Sequence, residues 1–210
     1  GPFKFVSWNK GTSVKYVKNE AYWQKGKPYL DGIEFSIIPD ILSGTLSFQK
    51  GDLDIYTGFL PEATKKLEAE ANVVYLPEGL GGSAWAMFFD SKNADSPFAK
   101  LKVRQAVAHA IDINVIVQSV YLGYAAATPQ WGLPGSWTYN PDVKGFTYSE
   151  ERAKSLLAEA GYPNGFKTTI WTPQGRYYMD RETVIAVQAQ LKEIGIDASV
   201  EIVDWSTYLA

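Results

Sequence analysis

The sequence predicts an α/β fold of mixed sheets with flanking helices and βαβ units, and two stretches carry that expectation. Late in the chain, residues 166–172 (FKTTIWT) read as a strand, and Asp180 caps a helix that turns Val184, Val187, Leu191 and Ile194 inward. Gly195 stops that helix, and Ile196, Ala198, Val200 and Ile202 alternate along a second strand. In the first third, a strand-like run over 33–38 leads through Pro39 and Asp40 into a helix over 41–49, then a strand over 53–56. Pro61 begins another helix that reaches Ala71, with Lys65 and Lys66 close to Glu68 and Glu70 on a polar surface. Asn72 breaks it toward a strand over 73–76. The right-handed crossover rule then favours a parallel sheet with helices against it.

Between these stretches lie three punctuated helices. Val103, Val107, Ala110 and Ile111 stand at i, i+4, i+7 and i+8, one buried stripe on a 3.6-residue period. Asp112 caps the next helix, whose stripe is Ile113, Ile116, Val117, Val120 and Tyr121, with Gly123 as its stop. Thr147, three residues before Glu150, has capping-box spacing for a third, with Ala153, Leu156, Leu157 and Ala160 on its apolar face and Gly161 at its end. Residues 77–82 (PEGLGG) are the sharpest shift in composition, and residues 83–90 read as a strand leaving them. A domain boundary is expected there, giving residues 1–82 and residues 83–210.

Composition limits the function classes. Of 210 residues, 46% are hydrophobic and 20% charged, enough to bury a sizeable core. The net charge is −3 with Lys and Arg scattered, so no nucleic-acid footprint stands out. No apolar run reaches the length of a membrane span. With no Cys there is no disulfide, thiolate ligand or Cys nucleophile. His109 is the single His and lies off the Val103, Val107 and Ile111 stripe, so it is expected to face solvent. One His builds no two-His metal motif, and no Gly-x-Ser-x-Gly elbow presents a Ser to it. Asp52 and Asp54 flank a strand more simply than they hold calcium. Residues 79–82 lack the following helix and Lys of a phosphate loop. Glu150 and Glu151 open a helix and complement its dipole. A hydrolase or transferase therefore has little to work with, and no catalytic residue, cofactor or metal ligand is assigned.

One colinear series of landmarks is specific. It runs through Gly1-Pro2-Phe3, Asn19 to Trp23 (NEAYW), Gly26 to Asp31 (GKPYLD), Ile38-Pro39-Asp40 and Gly51 to Ile55 (GDLDI). It continues through Pro97-Phe98, Lys102 to Ala106 (KVRQA), Ala110-Ile111-Asp112, the Gly123-Tyr124 turn, Tyr139-Asn140-Pro141 and residues 153–162 (AKSLLAEAGY). In this order the chain resembles the extracellular solute-binding proteins of the oligopeptide and dipeptide type that serve ABC importers. The resemblance implies a two-lobed fold of the periplasmic-binding-protein type, with residues 1–82 in the first lobe and residues 83–210 in the second. It also implies that the chain is a fragment of a longer protein, truncated in the second lobe, whose remaining parts carry any signal peptide or lipid anchor. Ser206 reads as the cap of a helix just begun. The implied partners are a peptide, or another small solute such as an oligosaccharide or a nickel chelate, and an ABC transporter permease. The implied location is extracytoplasmic, in the periplasm or at the cell surface. Peptides in such proteins are held largely through their backbone, with terminal charges met by fixed opposite charges, and main-chain pairing tolerates many sequences.

The residues expected to meet ligand are few. Arg176 and Tyr177 lie in a loop between the late strand and its helix, where carboxyl ends of strands in an open α/β sheet face the usual crevice. The guanidinium fork suits a ligand carboxylate, and the competing reading pairs it with Asp180 or leaves it in solvent. Trp85 and Asp90 fall on opposite faces of the strand expected over 83–90. The resembled family has Asn where Asp90 stands, so Asp90 either caps the next turn or faces a ligand amine. Trp131 and Trp137 flank Gly132 to Gly135 (GLPG), a loop in which their rings either pack on a core or line a cleft.

Overall fold

A computed structural model describes residues 1–76 and 85–209. The chain forms two compact units, Gly1–Thr64 and Lys65–Ala210. The expected lobe boundary over 77–82 and the first two residues of the strand expected over 83–90 lie outside the described residues.

The first unit holds an antiparallel sheet in the order β1 (Phe3–Asn9), β2 (Ser13–Lys18) and β3 (Gly32–Ser36). A tight turn joins β1 to β2, with the Thr12 amide donating to Asn9 O at 2.9 Å. This corrects the parallel βαβ expectation: residues 53–56 and 73–76 form no strand, and β3 pairs with β2. The tight turn fixes β1 and β2 antiparallel, and with no strand over 53–56 or 73–76, β3 has no parallel partner after the following helices among the described residues. The sequence hides β1 because the register shifts between Phe5 and Ser7, and such a bulge breaks the period of two. Phe5 lies opposite Tyr16 before it and Trp8 opposite Val14 after it, so both return to one face. Helix α1 (Ile41–Lys50) follows, its N-terminus capped by Asp40 Oδ1, which accepts from the Ser43 amide at 2.8 Å. Helix α2 covers Pro61–Leu67 and stops short of the expected Ala71.

The second unit is built around β4 (Phe166–Pro173) and β5 (Ile196–Val203), parallel over their length from Phe166 opposite Ile196 to Pro173 opposite Val203. A crossover helix, running Asp180–Glu193, connects them as the sequence predicts. With α3 (Leu101–Ala110), α4 (Ile113–Ser119) and α5 (Glu150–Glu159) introduced before it, this crossover is α6, and α7 (Trp205–Leu209) ends the described chain. Val103 and Val107 of α3, Leu156 and Leu157 of α5, Leu191 of α6 and Ile196 of β5 meet in one core. Each such fully buried aliphatic side chain contributes about 2 kcal/mol. The α6–β5 joint also demands a small residue nearby: Gly165 has φ of 72°, and a Cβ there would run into the Gly195 carbonyl.

Several local expectations change. Ser149, not Thr147, caps α5: its Oγ accepts from the Arg152 amide at 3.1 Å. The Thr147 carbonyl instead accepts from His109 Nδ1 at 2.7 Å, and the half-buried His109 ring meets Phe146 edge-on. His109 therefore tethers the segment before α5 rather than pointing to solvent. On α4 the Asp112 cap forms, accepting from the Asn114 and Val115 amides, but only Ile116 and Tyr121 of the expected stripe are buried. Asp180 is the first residue of α6 and not its cap; Met179, at φ of 55°, takes that position. The described part of the stretch expected as a strand over 83–90, residues 85–90, is in no strand.

Candidate functional site

The C-terminal ends of β4 and β5 point the same way, because the strands are parallel, and each leads within a few residues to an aromatic, Tyr177 after β4 and Trp205 after β5. After β4, residues 174–179 form an exposed loop carrying Arg176, Tyr177 and Tyr178. After β5, Asp204 starts α7: its Oδ1 accepts from the Ser206 and Thr207 amides at 3.0 and 3.1 Å, and its Oδ2 accepts from Thr207 Oγ1. Hydrogen bonds from Ser206 and Thr207 hold the Asp204 carboxyl well below the usual carboxylate range. Asp204 thus does the capping expected of Ser206, and it sets Trp205 as the first residue of the helix.

Arg176 is bracketed by these two loops. Its guanidinium carbon lies 4.7 Å from the Trp205 ring and 5.6 Å from the Tyr177 ring. The rings also meet one another: Tyr177 and Trp205 at 5.9 Å, Trp85 and Tyr177 at 5.5 Å, and Trp205 stacked on Tyr208 at 5.6 Å. Trp85 Nε1 donates to Tyr178 O at 3.3 Å, which brings residue 85 to the same loop although no strand delivers it. Among the described residues the Arg176 guanidinium makes no ion pair. The expected alternative, Arg176 paired with Asp180, takes another form: the Asp180 carboxylate, 3% exposed, accepts the backbone N–H of Arg176 at 3.0 Å and of Tyr177 at 3.1 Å. With one face on indole, the cation keeps its N–H edge for an in-plane acceptor, the geometry a carboxylate fits.

Of the six residues singled out in the sequence, Arg176, Tyr177 and Trp85 come together. Asp90 does not join them: its Oδ1 accepts from the Asn93 amide at 3.3 Å, the turn-capping role weighed for it. Trp131 and Trp137 form a separate feature. The core packing open to them does not occur, since Trp131 is 64% exposed, with the Phe88 ring 6.2 Å away, and Trp137 is 96% exposed. Their loop is closed at its base by Gln130 and Asn140, which exchange hydrogen bonds of 2.7 and 2.9 Å. Sequence position gives no argument for Trp205 as a site residue, and Tyr208 is not singled out. The signal was present as Asp204 followed by Ser206 and Thr207, a helix start placed directly after an alternating strand. Among the described residues there is no group of three or more His, Cys, Asp or Glu able to hold a metal, and no helix is long and apolar enough to cross a membrane.

Comparison with known proteins agrees with this architecture. The model of the family described as "Bacterial extracellular solute-binding proteins, family 5 Middle" matches residues 1–210. Heme-binding protein A of Haemophilus influenzae is 34% identical over 99% of this chain and 38% of its own length. Oligopeptide-binding protein AppA of Bacillus subtilis is 34% identical over 98% of this chain and 39% of its own length. Among solved structures, the ABC transporter-associated periplasmic binding protein DppA of Helicobacter pylori, in complex with the peptide STSA, superposes with a TM-score of 0.76. It is 32% identical and covers all of this chain and 40% of that one. The chain thus spans about two fifths of the length of the proteins it matches. The chain belongs to the bacterial extracellular solute-binding proteins of family 5.

Proposed function

We propose that this chain is part of an extracytoplasmic receptor that captures dipeptides or oligopeptides and hands them to an ABC transporter permease, without chemical turnover. The observation that carries the reading is Arg176, an exposed guanidinium at the carboxyl ends of two parallel strands. It is seated on Trp205 and Tyr177 and has no ion-pair partner among the described residues. Such a group takes the C-terminal carboxylate of a peptide, while the rings of Trp85, Tyr177 and Trp205 supply apolar surface to the neighbouring side chain. The peptide ligands in the names of AppA and of the Helicobacter structure support this choice of solute. Closure of two lobes, residues 1–82 and residues 83–210, over the ligand belongs to the same proposal. Contacts that exist only in the closed state shift the equilibrium toward it by their own free energy.

Calorimetry on the full-length protein tests the reading, with di- and oligopeptides set against oligosaccharides, haem and nickel chelates. Saturable peptide binding is expected, and Arg176→Gln should weaken it by roughly 10- to 100-fold, the loss of one charge-assisted hydrogen bond pair. Peptide hydrolysis, or saturation by one of the other solutes and not by peptides, would sink it.

A further inference from the structure

We infer that Asp180, together with the Tyr121–Thr183 pair, is a positioning device that sets Arg176 for its ligand before the ligand arrives. This rests on the reading of Arg176 as a carboxylate anchor. Asp180 is a buried acid with no cationic side chain within ion-pair distance among the described residues. A charge so placed needs strong donors, and it has three: the Arg176 and Tyr177 amides on Oδ2, and the Arg181 amide on Oδ1 at 2.9 Å. Two of the three belong to the residues whose side chains form the bracket with Trp205. The carboxylate therefore ties the ligand-facing loop to the first turn of α6 from beneath.

A hydroxyl pair adds the second tie. Thr183 Oγ1 stands 2.7 Å from both the Met179 carbonyl oxygen and the Tyr121 hydroxyl. Tyr121, Thr183 and the Met179 carbonyl thus form a continuous hydrogen-bonding chain inside the protein. Tyr178 O, 3.3 Å from the Tyr121 hydroxyl, takes Trp85 N–H as well. Met179 itself sits at φ of 55°, a left-handed conformation that costs a Met about 1 kcal/mol or more and persists only where surroundings over-determine it. Here the surroundings are Thr183 on the Met179 carbonyl and Asp180 on the two amides upstream. A loop fixed on both sides of a strained residue pays little ordering entropy when ligand binds. Neither Asp180 nor Tyr121 needs to touch the ligand to do this.

The readout is the ratio of affinities for a dipeptide and for the same dipeptide as its C-terminal amide, measured by calorimetry on the full-length protein. A merely structural defect lowers the thermal midpoint and scales both affinities together; loss of positioning collapses the ratio. The unsubstituted protein should prefer the free acid by roughly 10-fold or more. Asp180→Ala should bring the ratio near one, with Asp180→Asn between, since one amide oxygen can still face the Arg176 and Tyr177 N–H groups. Tyr121→Phe and Thr183→Val leave Asp180 in place and should each lower the ratio about 3-fold, which keeps the test decisive if the Asp180 variants do not fold. If Arg176→Gln abolishes the preference while every folded variant at 180, 121 and 183 retains it, the positioning inference is overturned. If Arg176→Gln itself leaves the ratio unchanged, the anchor reading fails instead.

Discussion

The two units treat apolar sheet surface in opposite ways. In Lys65–Ala210, β4 and β5 are joined by a helix that packs back on them, and every residue of the buried cluster, to which α3, α4 and α5 also contribute, lies in this unit. In Gly1–Thr64, the three-stranded meander gathers Phe5, Trp8, Tyr16 and Phe35 on one face, with Tyr16 edge-on to both Phe rings, yet Phe5, Trp8 and Phe35 stay more than half exposed. The other face carries the Lys15–Glu34 ion pair at 3.1 Å. A crossover brings its own cover, whereas a meander relies on what lies elsewhere. Stability of this 210-residue chain should therefore reside in the second unit.

The largest expected effect tests that directly. Leu157→Ala, at a fully buried position between α5 and α3, should cost about 4 kcal/mol in urea unfolding followed by circular dichroism. Phe35→Ser, 57% exposed on the meander, should change it by no more than about 0.5 kcal/mol. Equal costs would break the comparison.

The same contrast explains what was legible in the sequence. Helices α3, α5 and α6 and strand β5 could be read because one stripe or one face is buried, so Val103 and Val107, Leu156 and Leu157, and Ile196 and Ala198 recur at the right period. The meander could not. Its bulge breaks the alternation in β1, and Lys15 and Val17 share a face of β2, so neither strand shows a clean pattern. Errors of capping arose where two candidates compete within a few residues, as with Thr147 and Ser149, or Asp204 and Ser206; side-chain geometry, which spacing does not encode, decides between them. In the site, Arg176 was readable as a loop cation at a strand end. Its seat on Trp205 joins residues 29 positions apart, which only the parallel pairing of β4 with β5 brings together.

Glycine substitutions sharpen the comparison at a lower magnitude. At Gly165 an added Cβ would strike backbone, the Gly195 carbonyl, and φ of 72° disfavours any side chain. At Gly44, in α1 of the first unit, it would strike the Tyr56 phenol, which can swing aside. Gly165→Ala should cost about 2 to 3 kcal/mol, and Gly44→Ala less than about 1, partly offset by better helix propensity. Thermal unfolding of the two variants side by side decides it, and a more damaging Gly44→Ala would show that the first unit is the more tightly packed.

The smallest effect is expected at alkaline pH, where each unit has a perturbed phenol. Loss of surrounding water, then the hydrogen bond to Glu68 and its charge, push Tyr124 up to about 12 from 10.0. Burial and then the charge of Asp40 raise Tyr56 in the first unit as well. A group whose folded value is raised contributes stability that is complete below its unfolded value and is lost as pH climbs toward the folded one. Tyr124 therefore contributes fully below pH 10 and loses that contribution between 10 and about 12. Tyr124→Phe should flatten the fall in urea midpoint across that interval, and Tyr56→Phe should flatten it less. Tyrosinate absorbance offers an independent reading, since the Phe variant at 124 should lack the latest-titrating phenol. If instead Tyr56→Phe removes more of the alkaline loss, the contact of Tyr124 with Glu68 is not what governs this limb, and the meander unit, for all its exposed rings, holds the more protected phenol.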